Sequence, residues 1–136
     1  QSLPDLLSGR ISMLFDNLSS SLTLIKAGEV QALGVTTLKR SQAAPEIPTL
    51  AEQGLTGFEA VSWFSLMAPA NLPAPIQNRL NRLAHQALDN PAVKNRLLAG
   101  GLEAAPGSPK DLSSLIAAES NKWGRVVIQS GAKLDQ

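Results

Sequence analysis

The apolar run Ile11-Ser12-Met13-Leu14-Phe15 stops at Asp16-Asn17, and Ser19, Ser20 and Ser21 follow directly after Leu18. A carboxylate, a carboxamide and three hydroxyls in this order suit two kinds of chemistry. Asp, Asn and Ser accept hydrogen bonds from the free N–H groups of a helix start, so the pair reads as a cap. The same helix start also attracts anions, because its unpaired N–H groups and dipole favour negative charge by about 0.3–1 kcal/mol near the surface. In open α/β sheets, ligands gather beyond the carboxyl ends of strands, which is where a strand ending at Phe15 places these groups. A bound carboxylate would meet backbone N–H groups there. The charge of Asp16 calls instead for an amine, an ordered water or its own cap.

Elsewhere the catalytic inventory is thin. His85 is the single histidine and lies in a helix interior, one residue from an apolar stripe, where a surface or boundary position outweighs proton transfer. Cysteine is absent, which excludes disulfides and thiolate metal sites. The acids show no clustered ligand spacing, so no metal site is expected. Neither a phosphate-cradling glycine loop nor a GxSxG elbow occurs. The chain therefore reads as no enzyme and as needing no cofactor. Glu119 interrupts an apolar stripe, either as a helix-edge carboxylate paired with a cation from a neighbour or making a hinge or partner contact. Trp123 is expected in the core. Trp63 beside Phe64 fits core packing better than ligand stacking.

Composition narrows the class. In 136 residues, 43% are hydrophobic and 17% charged, which describes a globular chain. Twelve basic and 11 acidic residues leave a net charge of +1 with no basic stripe, and aromatics are 4%, so nucleic acid is not an expected partner. No apolar run approaches the ~20 residues needed to cross a bilayer. The opening residues resemble neither a signal peptide nor the start of a domain, so a mature fragment is expected.

The elements that must position these groups follow from periodicity and punctuation. Ser2 or Pro4 opens a first helix that Gly9 closes. Residues 11–15 read as a buried strand, residues 18–27 as a helix capped by Asn17 or Ser19, and residues 30–37 as a second strand. This is a βαβ-type order, with a parallel sheet expected. Thr49 caps a short helix over residues 50–54, with Glu52 at capping-box spacing. Residues 58–70 are the longest strand candidate, crossing between two lobes. In the second half, helices are expected over 74–88, over a short segment capped by Asp89 or Asn90 with Pro91 first, and over 110–130, stopped by Gly131. Residues 102–105 are a brief strand candidate.

Three stretches, SGRISMLFDNLSSSL (residues 8–22), QALGVTTLKRSQAAPEIPTLAEQG (31–54) and SWFSLMAPANLP (62–73), resemble the Bug receptors. These are the periplasmic solute-binding proteins of tripartite tricarboxylate transporters. The final helix with Asn121-Lys122-Trp123 and the closing Ser130-Gly131 match as well. The resemblance implies an α/β chain with a partial type II periplasmic-binding-protein fold, a short parallel or mixed sheet flanked by helices. It implies residues 1–62 in the second ligand-binding lobe, and residues 63–136 crossing back at a Trp63-Phe64 hinge to complete the first. Phe15, Asp16 and Asn17 match the family's cleft-bordering FDN motif, and Ser20 its following serine, so Asp16, Asn17 and Ser20 are the expected ligand contacts. The implied function is capture of a small organic carboxylate in the periplasm and delivery to membrane transporter components. The alternative is an interaction module or fragment that associates with itself and binds no ligand alone.

Overall fold

The computed structural model describes residues 2–132. Five helices form among them: α1 (Ser2–Leu7), α2 (Leu18–Lys26), α3 (Ala74–Asp89), α4 (Pro91–Ala99) and α5 (Pro109–Ser130). Their ends are set locally. Asn90, rather than Asp89, caps α4: its side chain accepts from the N–H of Ala92, and Pro91 takes the first position, where no N–H is needed. Asp89 ends α3 and pairs with Lys94 at 3.2 Å. Ser108 caps α5 through a complete capping box with Asp111, and Gly131 closes it in the left-handed conformation. The Ser108 hydroxyl and N–H hold the Asp111 carboxyl below its ordinary pKa.

The expected sheet is not formed by the described residues. Residues 11–17 and 58–69 run without regular strand pairing, and residues 30–37 contribute one isolated parallel bridge, Val35 to Thr49. In that bridge the Val35 N–H donates to the Pro48 carbonyl and the Leu50 N–H to the Val35 carbonyl, both at 2.9 Å. One further tie joins the Ala60 N–H to the Thr36 carbonyl, with the Thr36 hydroxyl returned to the Ala60 carbonyl. Residues 102–105 form no strand either. A strand exists only through a neighbour's backbone, and apolar content alone does not supply one.

The helix expected over residues 50–54 is a series of turns. Its capping box nevertheless forms: the Thr49 N–H donates to Glu52 Oε2 at 2.7 Å, and the Glu52 N–H to Thr49 Oγ1 at 3.0 Å. The Arg40 guanidinium adds a bond to the same carboxylate at 2.9 Å. The Thr49 N–H, and then Arg40, lower the Glu52 pKa.

The chain divides into two compact units. The first comprises Gln1–Phe64 and Leu88–Ala104. It has a small core of Leu22, Ala44 and Ile47, against which Leu18, Ile25, Ala32, Val35 and Ala43 pack. Thus α2 supplies one wall and the 43–47 loop the other. The second unit comprises Ser65–Ala87 and Ala105–Gln136. Within it, Asn81 Nδ2 donates to the Gly107 carbonyl at 2.9 Å, and His85 Nε2 lies 3.0 Å from the same oxygen. No residue of α3 or α5 is buried, because two helices cannot enclose both apolar stripes by themselves. Trp123, expected in the core, is 40% exposed. Its indole N–H donates to Glu119 at 2.7 Å, and Lys122 lies 5.3 Å from its ring. Glu119 pairs with Lys122 at 3.6 Å, a cation of its own helix.

Candidate functional site

The start of α2 is an open corner. Asn17 is its N-cap by backbone conformation (φ −74°, ψ 135°), yet the side chain makes no capping hydrogen bond and is exposed. The Asn17 carbonyl receives the N–H groups of Ser20 and Ser21 at 2.9 and 3.3 Å. Asp16 is engaged differently: the Ser21 hydroxyl donates to Asp16 Oδ2 at 2.5 Å. Ser21 is buried beside Leu22, so this bond fixes the carboxylate against the root of the helix. Ser19 and Ser20 are exposed, and Phe15 is 75% exposed. The corner therefore offers solvent the Asn17 carboxamide, the Ser19 and Ser20 hydroxyls and the Asp16 carboxylate, at the start of a nine-residue helix. The helix start favours negative charge there, and the Asp16 carboxylate opposes it.

Of the residues expected to bind ligand, Asp16, Asn17 and Ser20 lie together here. The sequence offers Ser21 only as one of three hydroxyl donors, and burial makes it the partner of Asp16. Trp63 and Phe64 stand at the other end of the first unit's leading segment, 37% and 83% exposed. A shallow cleft of about 360 Å³ lies at the far end of α2, lined by Ile25, Val30, Ala32, Glu46, Ile47 and Pro48 among others. It contains none of the expected ligand residues, and its apolar walls with one acid suit no small anion. Among the described residues, no group of three His, Asp or Glu could hold a metal ion, and no helix is long and apolar enough to cross a membrane.

Comparison with known proteins defines the class. Three solved structures superpose on the chain. The R. palustris protein Rpa4515 with adipate is 37% identical, with a TM-score of 0.81 over 95% of this chain and 43% of that one. The periplasmic binding protein BugD is 27% identical, with a TM-score of 0.79 over 97% and 45%. MatC (Rpa3494) from Rhodopseudomonas palustris with bound malate is 32% identical, with a TM-score of 0.75 over 93% and 44%. The architecture is thus that of solute-binding receptors rather than enzymes. The sequence profile described as "Tripartite tricarboxylate transporter family receptor" matches residues 1–132, and the chain belongs to this family, the Bug receptors. It spans less than half the length of each of the three structures.

Proposed function

We propose that this chain is the C-terminal half of a periplasmic receptor that captures a small carboxylate between two lobes and delivers it to the membrane components of a tripartite transporter. The observation that carries the ligand reading is the corner at α2, where the Asn17 carboxamide is exposed and unused by its own helix. Asn17 and Ser20 donate to the ligand carboxylate together with the first N–H groups of α2. Asp16, held by Ser21, orients the loop and meets an amine or an ordered water. Relatives bound to adipate and to malate support a diacid as the ligand class.

In this reading residues 1–62 belong to the second lobe, and the chain crosses back at Trp63 and Phe64. Residues 63–136 complete the first lobe, except that 88–104 pack with 1–64. The division of the chain after Phe64 supports the crossing. Segments 11–15, 30–37 and 58–70, which form no regular strand among the described residues, join a parallel or mixed sheet with strands of the other half, which completes the type II fold. Ligand contacts made to both lobes only when closed shift the population toward closure.

Calorimetry on the complete receptor with a panel of organic acids, adipate and malate included, tests the site. Asn17→Ala is expected to weaken the best ligand about tenfold, the worth of one hydrogen bond to a charged group. Unchanged affinity would remove Asn17 from the site.

A second reading rests on the apolar side chains this chain leaves exposed, among them Phe64, Leu66 and Ile128 at 83%, 77% and 82%. Surfaces of this kind favour association of the 136-residue chain with itself. Light scattering is expected to show a dimer or larger species, and a monomer at high concentration overturns that reading.

A further inference from the structure

Gly101 lies 84 residues after Asn17 in sequence, and the fold brings its backbone onto the first peptide of α2. It ends α4 in a six-residue loop of two bonds: its N–H donates to the Leu98 carbonyl at 3.0 Å, and the Leu102 N–H to the Leu97 carbonyl at 2.9 Å. This is the Schellman arrangement, which calls for a left-handed residue, and Gly101 has φ +72°. Conformation alone would explain a glycine there. A second observation goes beyond it. A Cβ at residue 101 would lie 2.9 Å from Ser19 N, 3.0 Å from Leu18 C and 3.0 Å from Ser19 Cα. These are backbone atoms, and no rotamer change moves them aside.

The turn after α4 is itself anchored. Two residues beyond Gly101, Glu103 Oε1 accepts from the Ser41 hydroxyl at 2.7 Å and from the Gln42 N–H at 2.8 Å. Ser41 is buried at the edge of the loop that carries Ala44 and Ile47. The strap 101–103 is thus fastened beside the core at one end and lies close along the Leu18–Ser19 peptide at the other, with no room for a side chain between them. We infer that Gly101 is a positioning residue for the ligand corner: its missing side chain lets the strap set where the first N–H groups of α2 and the Asn17 carboxamide stand. This deepens the receptor reading and rests on it for the ligand.

Gly28 provides the control. It closes α2 with the same pair of bonds, Gly28 N–H to the Ile25 carbonyl and Glu29 N–H to the Leu24 carbonyl, at φ +74°. A Cβ there meets nothing within 4 Å. Gly28→Ala and Gly101→Ala therefore impose the same left-handed strain, and only the second pushes on α2. Gly101→Asn relieves much of the strain, since Asn tolerates this conformation, and keeps the offending Cβ.

The test uses the complete receptor with adipate and malate as probes and reads backbone amide shifts at Leu18, Ser19 and Ser20 beside dissociation constants. Gly101→Ala and Gly101→Asn are both expected to move these shifts and to weaken the tighter probe about tenfold, since sites misplaced by a fraction of an ångström lose function. Gly28→Ala is expected to leave both readouts near wild type while lowering the melting temperature. Wild-type affinity in Gly101→Asn overturns the inference, because it reduces Gly101 to a helix terminator. If wild-type receptor binds neither probe nor any other small diacid, the receptor reading fails, and the shifts then decide alone: unmoved amides overturn the positioning role, and moved amides support it.

Discussion

Leu22→Ala is expected to lower the stability of the first unit by about 3 kcal/mol, within the 2–5 kcal/mol range for buried leucines. Leu22 is 4% exposed and is the α2 residue of a core completed by Ala44 and Ile47. A core this small has few neighbours able to collapse into the space, so the cavity term stays near its full size. Against a total stability of about 5–15 kcal/mol for an ordinary domain, such a loss is large. It also bears on the site, because Leu22 follows Ser21, the partner of Asp16. Urea denaturation followed by circular dichroism checks the value. Leu24→Ala on the same helix, at a half-buried position outside the core cluster, is the comparison and should cost clearly less. Equal losses at the two positions would mean that the core does not centre on Leu22.

Thr49→Val is expected to cost about 1 kcal/mol, the typical loss for a capping hydroxyl. Thr49 is 1% exposed and holds three connections at once. It bridges Val35, donates its N–H to Glu52, and accepts the Glu52 N–H at its hydroxyl. Valine keeps the shape and the bridge and removes only the hydroxyl, so the change isolates one bond. A loss within error of zero would show the turn over residues 50–54 to be held by the bridge alone. Acid acts on the same turn through the other partner. The Glu52 pKa is lowered by the Thr49 N–H and Arg40. Its contribution is therefore complete above the ordinary glutamate value and disappears as pH falls through the lowered one. An NMR titration of the Glu52 carboxyl is expected to find its midpoint below the ordinary value, moving toward it in Arg40→Ala.

The five helices that form were legible because their signals are local, although the equally local capping box at Thr49 opens only turns over residues 50–54. Pro91 after Asn90, Ser108 three residues before Asp111, and Gly131 after Ser130 each mark an end, and the structure forms all three caps. The acid and amide that stop the run at Phe15 marked the corner for the same reason. The segments over residues 11–15, 30–37 and 58–70 were not legible as strands of this chain. An apolar run states that a segment is to be buried and leaves unsaid which backbone will pair with it. Trp123 shows the same limit, since its place on the α5 stripe gives a direction and no partner to bury it.

By itself, the sequence determined the caps that bound α4 and α5, which residue types gather after Phe15, and the family to which the chain belongs, since each is written in neighbouring residues or in text shared with relatives. Tertiary structure alone decided that Asp16 takes the Ser21 hydroxyl, that the Asn17 carboxamide is left to solvent, and that Gly101 rests on the Leu18–Ser19 peptide. The physical reason is reach. A cap or a turn is closed by residues within one or two turns of chain, whereas burial and close backbone contact join residues whose separation in sequence carries no information about their distance in space.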